Sequence, residues 1–178
     1  SNEGARSIAS VVGAFEKEEA GGNVLDSREW FIEKMNKKAR ELGMSQTYFI
    51  NESGLDLSEP GFVSGAYGSV KDLTRLFIFT LKTHPEIFEA TTKDLHLVHS
   101  QSKSYTAENT NKIVHELPEL IASKTGLTDL SGGNLVVAID IGINHPIIIA
   151  VLGSSELARF TDPVTLANAT AEAMGNSI

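Results

Sequence analysis

The stretch that decides the fold lies in the last third of the chain: Leu135-Val136-Val137-Ala138-Ile139-Asp140-Ile141, then Gly142-Ile143-Asn144-His145, then Pro146-Ile147-Ile148-Ile149-Ala150-Val151-Leu152. Both outer runs are rich in Val and Ile, and the polar link between them is a hairpin connection, so they read as paired strands. Upstream, Ile121 to Thr128 reads as a third strand, joined through Ser131-Gly132-Gly133. Links this short require antiparallel neighbours. Because the two later runs are apolar almost throughout rather than alternating, each face of the sheet must be covered, which places helices on both sides. Downstream, Asp162 reads as an N-cap and Pro163 as the first helical position of a closing helix that runs through Met174, with Gly175 after it.

Upstream of the strands the pattern is helical. Residues 4–19 carry Ile8, Val11, Val12 and Phe15 along one face, with Gly21-Gly22 as the stop. Asp26 and Glu29 make a capping-box-like start for a second helix with Phe31, Met35, Ala39 and Leu42 on one stripe, closed by Gly43. Residues 44–68 lose this periodicity, holding Asn51, Gly54, Pro60, Gly61, Gly65 and Gly68, and read as an ordered loop. A long irregular stretch of this kind in a compact domain often serves function. Ser69-Val70-Lys71-Asp72 caps a third helix with Leu73, Leu76, Phe77, Thr80 and Leu81 on one side, and Pro85 either ends it or begins a short turn. Residues 90–118 are polar, and the alternation in Asp94-Leu95-His96-Leu97 suggests a short strand or hairpin arm. The expected organisation is one incomplete domain over 1–178, mostly helical over 1–118, with the meander and closing helix over 119–178.

With 15 Lys and Arg against 23 Asp and Glu the formal charge is −8, and 41% of the 178 residues are apolar. A chain of this length buries about 70% of its unfolded surface, enough for a core without staples. The acidic balance argues against broad gripping of a phosphate backbone, so nucleic acid is not an expected partner. The absence of cysteine excludes disulfides, thiolate nucleophiles and Cys-ligated zinc. The longest apolar run, Pro146 to Gly153, fits one buried strand and not a membrane span. The opening Ser1-Asn2-Glu3-Gly4 has neither a Met-plus-basic start nor a signal-like apolar core, which reads as a missing N-terminus. An alternative takes Ser1-Asn2 as a tag remnant.

Lys124-Thr125-Gly126-Leu127-Thr128 is the candidate for chemistry. A cation, two hydroxyls and a glycine that admits a ligand close to the backbone suit recognition of a carboxylate at a strand edge. Strand alternation puts Lys124, Gly126 and Thr128 on one face. The tripeptide alone is equally explained by a surface strand end.

The wider chain resembles the D-alanyl-D-alanine carboxypeptidases, low-molecular-mass penicillin-binding proteins that are serine peptidases. The resemblance rests on several segments. Asn2-Glu3-Gly4-Ala5 is similar to the end of the family's Ser-x-Asn segment, and Met35 to Met44 with Thr47, Phe49, Asn51, Gly54 and Leu55 is similar to its helix-and-loop signature. Ser69, Asp72-Leu73 and Leu76 resemble the next helix, and Lys124 to Thr128 with Gly132-Gly133-Asn134-Leu135-Val136 resembles the strand motif. The sets S-x-x-K, S-D-N and K-T-G are the recognised signature of these proteins and of class A β-lactamases.

The resemblance implies an α/β fold of the β-lactamase and transpeptidase type, an antiparallel sheet flanked by helices plus a helical subdomain, truncated at the N-terminus. It implies a serine attack on the bond between two terminal D-alanines of peptidoglycan stem peptides, an acyl-enzyme, trapping by β-lactams, an extracytoplasmic location, and no metal or cofactor. It assigns catalytic roles to Lys124, as positive potential and proton relay, and to Asn2, as hydrogen-bond partner of the substrate amide. Thr125 and Thr128 would bind the substrate carboxylate, Gly126 would admit the substrate, and Leu127 would lend its backbone N–H to the oxyanion hole. The family's S-x-x-K segment precedes Ser-x-Asn, so its nucleophile is expected upstream of Ser1 and this chain is expected to be inactive by itself.

Ser100-Gln101-Ser102-Lys103 satisfies S-x-x-K by letter but lies in a polar stretch on the wrong side of Asn2, whereas the lysine must be desolvated one helical turn from the serine. Asn109-Thr110-Asn111 is a candidate to approach the cleft by analogy. His96 and His99 read as surface residues on opposite strand faces, and His84, His115 and His145 carry no assigned role. Trp30 and Phe31 read as packing residues, and Glu16 to Glu19 as a solvated helix end. Two other functions stand beside the carboxypeptidase reading: a non-catalytic penicillin-binding-like module that holds wall peptides or partners, and a class A β-lactamase with Glu52 or Glu59 as deacylating base. A sheet lacking strands is expected to self-associate through an exposed edge.

Overall fold

The computed structural model describes residues 1–19, 21, 27–58, 61–142 and 144–175. The stop at Gly22, the cap at Asp26, the candidate Glu59, the turn residue Pro60 and the hairpin residue Ile143 lie outside these. The described residues form two compact units: residues 1–72 with 128–130, and residues 73–127 with 131–178.

In the first unit, helix α1 (Asn2–Glu19) begins at Ser1, whose Oγ accepts the Gly4 N–H at 3.0 Å. It meets helix α2 (Ser27–Glu41) through its small residues, Ala9 and Gly13. A Cβ on Gly13 would lie 2.0 Å from the Ser27 carbonyl oxygen, so the helices approach too closely there for any side chain. The apolar stripe read from the sequence is not the packed one: Ile8, Val11, Val12 and Phe15 remain exposed, Phe15 at 67%. The Gly43 stop holds. Gly43 takes a φ of 70°, and Met44 N–H donates back to the Ala39 carbonyl at 2.9 Å, satisfying an end carbonyl of α2.

The stretch 44–68 is a loop built on a miniature hairpin. Strands β1 (Tyr48–Phe49) and β2 (Ala66–Tyr67) pair antiparallel, and Leu57 bridges Val63 farther out. Helix α3 (Val70–Thr83) starts as expected at Ser69, whose Oγ accepts the Asp72 N–H at 3.3 Å.

The second unit holds the sheet. After α3 come a 3-10 segment (Pro85–Thr92) and an exposed hairpin, β3 (Leu95–His99) with β4 (Ser104–Glu108), the arm expected from the alternation around His96. Strands β5 (Leu120–Thr128), β6 (Gly132–Asp140) and β7 (Pro146–Ser154) then form a three-stranded sheet in that order. In the β6–β7 ladder Val137 faces Ile149 and Ile139 faces Ile147, with an irregularity between Gly133 and Leu135. Both faces of β6 are covered, as its continuous apolarity demands. Leu135, Val137, Ile139 and Ile149 pack with Ile113, Leu117 and Ala167 on one side. Val136 and Ala138 pack with Ala122, Phe77 and Phe88 on the other, the two rings 4.9 Å apart.

The closing helix α4 (Ala158–Ala173) corrects the sequence reading of its start. Asp162 is not its N-cap and Pro163 is not its first residue; Pro163 lies inside the helix and is buried. Ser155 does the capping work four residues before α4 reaches Arg159: its Oγ accepts the Ala158 N–H at 3.0 Å and its carbonyl the Arg159 N–H at 3.2 Å. Asp162 instead accepts the Ser154 hydroxyl at 2.9 Å. Starting earlier buries Arg159 and brings Phe160 onto the core, a tertiary gain invisible to local capping rules.

Candidate active site

Strand β5 ends one side of the sheet, and its outer edge carries the motif. The first part of that edge is closed by the 3-10 segment: Thr91 Oγ1 accepts the Ser123 N–H at 3.0 Å, and Ser123 Oγ donates to the Thr91 carbonyl at 3.0 Å. From Lys124 onward the strand is exposed or half-buried. The Lys124 ammonium donates to the Thr125 carbonyl, and desolvation lowers its pKa below the usual lysine value, although the side chain as a whole counts as exposed.

Thr125 Oγ1 lies 2.6 Å from Thr110 Oγ1, so Thr110 does approach the motif. Its neighbours hold it there. Asn109 Nδ2 donates to the carbonyls of Thr91 and Lys93, at 2.9 and 3.0 Å, and its Oδ1 accepts the Asn111 N–H at 2.9 Å. Asn111 is 2% exposed, with its Nδ2 buried and unpartnered among the described residues.

Gly126 is held by a residue the sequence did not single out. Arg159, 9% exposed, donates through Nη1 to the Gly126 carbonyl at 2.8 Å and through Nε to the Glu156 carbonyl at 3.1 Å, with its guanidinium 4.6 Å from the Phe160 ring centroid. Nothing in the local sequence marks it, because an arginine in the first turn of a helix is ordinary. The close approach of Gly133, where a Cβ would sit 2.2 Å from the Ser155 carbonyl oxygen, gives the Gly132-Gly133-Asn134 segment a packing reason. Leu127 keeps an exposed side chain at 44%.

Two of the expected residues belong to the first unit. Asn2 is the exposed opening residue of α1. Thr128, at the end of β5, donates through Oγ1 to Asp56 Oδ1 at 3.0 Å, while Asp56 Oδ2 accepts the Leu130 N–H at 2.9 Å.

The sequence and the strand geometry now have an independent counterpart. A profile of the D-alanyl-D-alanine carboxypeptidase family matches residues 20–156. The chain belongs to this family. Among relatives, it is 36% identical over 102 residues to the D-alanyl-D-alanine carboxypeptidase DacF of Bacillus subtilis, covering 57% of this chain and 25% of that protein. It is 31% identical over 136 residues to a D-alanyl-D-alanine endopeptidase of Escherichia coli, covering 74% of this chain and 41% of that one. A Listeria monocytogenes penicillin-binding protein solved with ampicillin bound shares the fold at a TM-score of 0.63 and 28% identity, over 81% of this chain and 57% of its own. A Streptomyces DD-transpeptidase matches at a TM-score of 0.71 and 21% identity, over 93% and 62%. The fold is therefore that of the transpeptidase-like penicillin-binding proteins, and the chain spans a quarter to less than two thirds of the length of these proteins.

Family membership sharpens the reading of the remaining candidates. Ser100 and Lys103 form the β3–β4 turn: Ser100 Oγ donates to the Lys103 carbonyl and accepts its N–H, both at 3.0 Å, so this serine serves the turn. Glu52 is committed elsewhere, with Oε1 2.5 Å from Arg28 and 3.8 Å from Arg6, a side chain 1% exposed, and Oε2 unpartnered among the described residues. His96 and His99 sit three apart on β3 and so face opposite sides, His99 Nδ1 lying 2.9 Å from Ser104 Oγ. Among the described residues no helix is long and apolar enough to cross a membrane.

Proposed function

We propose that the protein to which these residues belong is a serine-type D-Ala-D-Ala carboxypeptidase that cuts peptidoglycan stem peptides through an acyl-enzyme, is trapped there by β-lactams, and works on the extracytoplasmic side. The observation that carries this reading is the motif strand at the sheet edge. Lys124 supplies positive potential, and its lowered pKa makes it a better proton carrier than an ordinary lysine. By the family resemblance, Thr125 and Thr128 bind the substrate carboxylate, Leu127 gives its backbone N–H to the oxyanion, and Asn2 bonds the substrate amide. Gly126 supports the same reading by contrast with Gly133. A Cβ at position 126 would meet Asn134 Cβ at 3.5 Å, an ordinary contact, so packing among the described residues does not demand glycine there, which fits a glycine kept for close approach of a ligand.

The mechanism requires an activated serine, and S-x-x-K occurs in this chain only at Ser100, in the turn described above. The nucleophile of the proposed enzyme therefore belongs to a segment outside these residues, and the 178-residue chain alone is inactive. Loss of a nucleophile costs more than the 10²–10³ that loss of one oxyanion donor typically costs. Self-association through an outer sheet strand is part of the proposal, and mass measurement in solution tests it: a clean monomer removes that part.

Labelling with a fluorescent penicillin decides the main reading. The complete gene product is expected to label and to release D-alanine from a D-Ala-D-Ala peptide, while the 178-residue chain stays unlabelled. A complete product that binds wall peptides without labelling would favour the non-catalytic module, and labelling of Ser100 in the chain alone would overturn the placement of the nucleophile.

A further inference from the structure

The hydroxyls of Thr110 and Thr125, 2.6 Å apart, have no other hydrogen-bond partner among the described residues, and both belong to the second unit. Thr110 is exposed and Thr125 half-buried. The exposed side chain stands on an anchored backbone. Asn109 donates its N–H to the Asp94 carbonyl at 2.7 Å and its side-chain amide to the carbonyls of Thr91 and Lys93. Ser123, two residues before Thr125 on β5, is bonded to the same Thr91 through its N–H and its hydroxyl. On the other side of Thr110, the buried Asn111 accepts the Ile113 N–H through Oδ1 at 3.2 Å. Thr91 therefore ties both threonines to one point, and the fold, not the chance meeting of two loose side chains, sets the spacing of their hydroxyls.

Each hydroxyl carries one proton, so while the two are bonded to each other one proton lies between the oxygens and the other is unused. A carboxylate has no proton to give, and its two acceptor oxygens are spaced much like the two threonine oxygens. When both hydroxyls turn toward it, one neutral hydrogen bond is lost and two charge-assisted ones form, each about twice as strong as the neutral kind. The Lys124 ammonium, held at the Thr125 carbonyl, adds positive potential beside the pair. We propose that Thr110 is a substrate-binding residue: with Thr125 it forms a two-hydroxyl clamp that opens its internal bond and takes one oxygen of the substrate's terminal carboxylate on each threonine. This rests on the carboxypeptidase reading and deepens it, because the clamp selects a free carboxylate over a neutral ester or amide, which gains no charge-assisted bond in exchange for the internal one.

Thr110→Val removes the hydroxyl with little change in shape. In the complete gene product, the ratio of labelling rate constants for a fluorescent penicillin over its carboxylate methyl ester is expected to fall about tenfold in Thr110→Val, the worth of one charge-assisted hydrogen bond. Thr110→Ser keeps the hydroxyl and is expected to hold the wild-type ratio. An unchanged ratio in Thr110→Val, or an equal fall in Thr110→Ser, overturns the inference. A wild-type product that labels with neither probe refutes the carboxypeptidase reading instead. The clamp is then judged by NMR on the 178-residue chain, titrated with N-acetyl-D-alanine and with its C-terminal amide. The acid is expected to move the methyl signals of Thr110 and Thr125 together, and the amide to move neither. An acid that moves neither signal, or an amide that moves both as far, overturns the clamp.

Discussion

The loop of the first unit and the sheet of the second keep their shapes by opposite means. In the sheet, Leu135, Val137 and Ile139 are completely buried among other apolar side chains, and dense packing does the holding. In the loop, buried polar side chains grip backbone. Asn36 donates to the Phe49 carbonyl and accepts the Phe49 N–H, both at 2.8 Å. Asn51 Oδ1 accepts the N–H groups of Ser53 and Gly54, at 3.1 and 2.7 Å, and its Nδ2 donates to the Leu55 carbonyl at 2.8 Å. Asp72, 1% exposed, accepts the Gln46 N–H at 2.7 Å and the Thr47 hydroxyl at 3.0 Å. A region held by oriented bonds can follow an irregular path that no apolar core would enforce, but it depends on each bond individually, because an orphaned buried group costs its full desolvation.

The largest expected effect is in the sheet. Leu135→Ala should destabilise by about 4 kcal/mol through lost burial and a residual cavity, read as a lower urea midpoint. A loss under about 1 kcal/mol would mean that the site collapses easily and that the sheet is less tightly packed than described. Next comes Asn36→Ala, which leaves both Phe49 backbone groups unpaired and should cost about 3 kcal/mol, with faster amide exchange over 46–67 and unchanged exchange in β6. Exchange that rises equally in both would erase the contrast between the two regions. Removing the exposed partner of a buried charge is a smaller loss: Arg28→Ala should cost about 2 kcal/mol, and adding Glu52→Gln should return part of it. Additive losses would show that the pair is not coupled.

The smallest effect probes a turn where the sheet borrows the loop's device. Asp140 accepts the backbone N–H groups of Gly142 and His145 through Oδ1, both at 3.0 Å, and that of Asn144 through Oδ2 at 3.2 Å. These bonds, that of Gly142 first, lower its pKa. A carboxyl whose folded pKa lies below its unfolded value of about 3.9 adds stability above that pH and loses it as pH falls through the folded pKa. Asp140→Asn should therefore lose that small increment at neutral pH and flatten the acid limb below about pH 4, so that the two proteins converge in stability at low pH. An identical acid limb in both proteins would show that the turn gains nothing from the charge.

The difference in means is also a difference in what could be read. Strands from Leu135 and Pro146, the covered sheet faces and the Ser69 start of α3 were legible because apolar runs and capping residues act over a few neighbouring positions. The motif at Lys124 was legible as residue types at a fixed spacing. Asn36 and Asp72 were not legible as anchors, since their partners lie 13 to 26 positions away; Asn51, whose partners are local, was not legible because a buried amide looks like any surface amide in a sequence. The start of α4 misled for the same reason: Asp162-Pro163 obeys the local rule, yet burying Arg159 and Phe160 decided the register. Arg159 on Gly126, Thr110 on Thr125 and Asp56 on Thr128 share this property.

By itself, the order of residues determined which segments are helical or extended, that the sheet is antiparallel with both faces covered, and which family's motifs the chain carries, because each follows from local periodicity or spacing. Only the tertiary structure decided which side chains hold those motifs in place. A hydrogen bond between residues dozens of positions apart leaves no local trace, and its direction, which settles what a hydroxyl can offer a ligand, depends on the partner that folding brings to it.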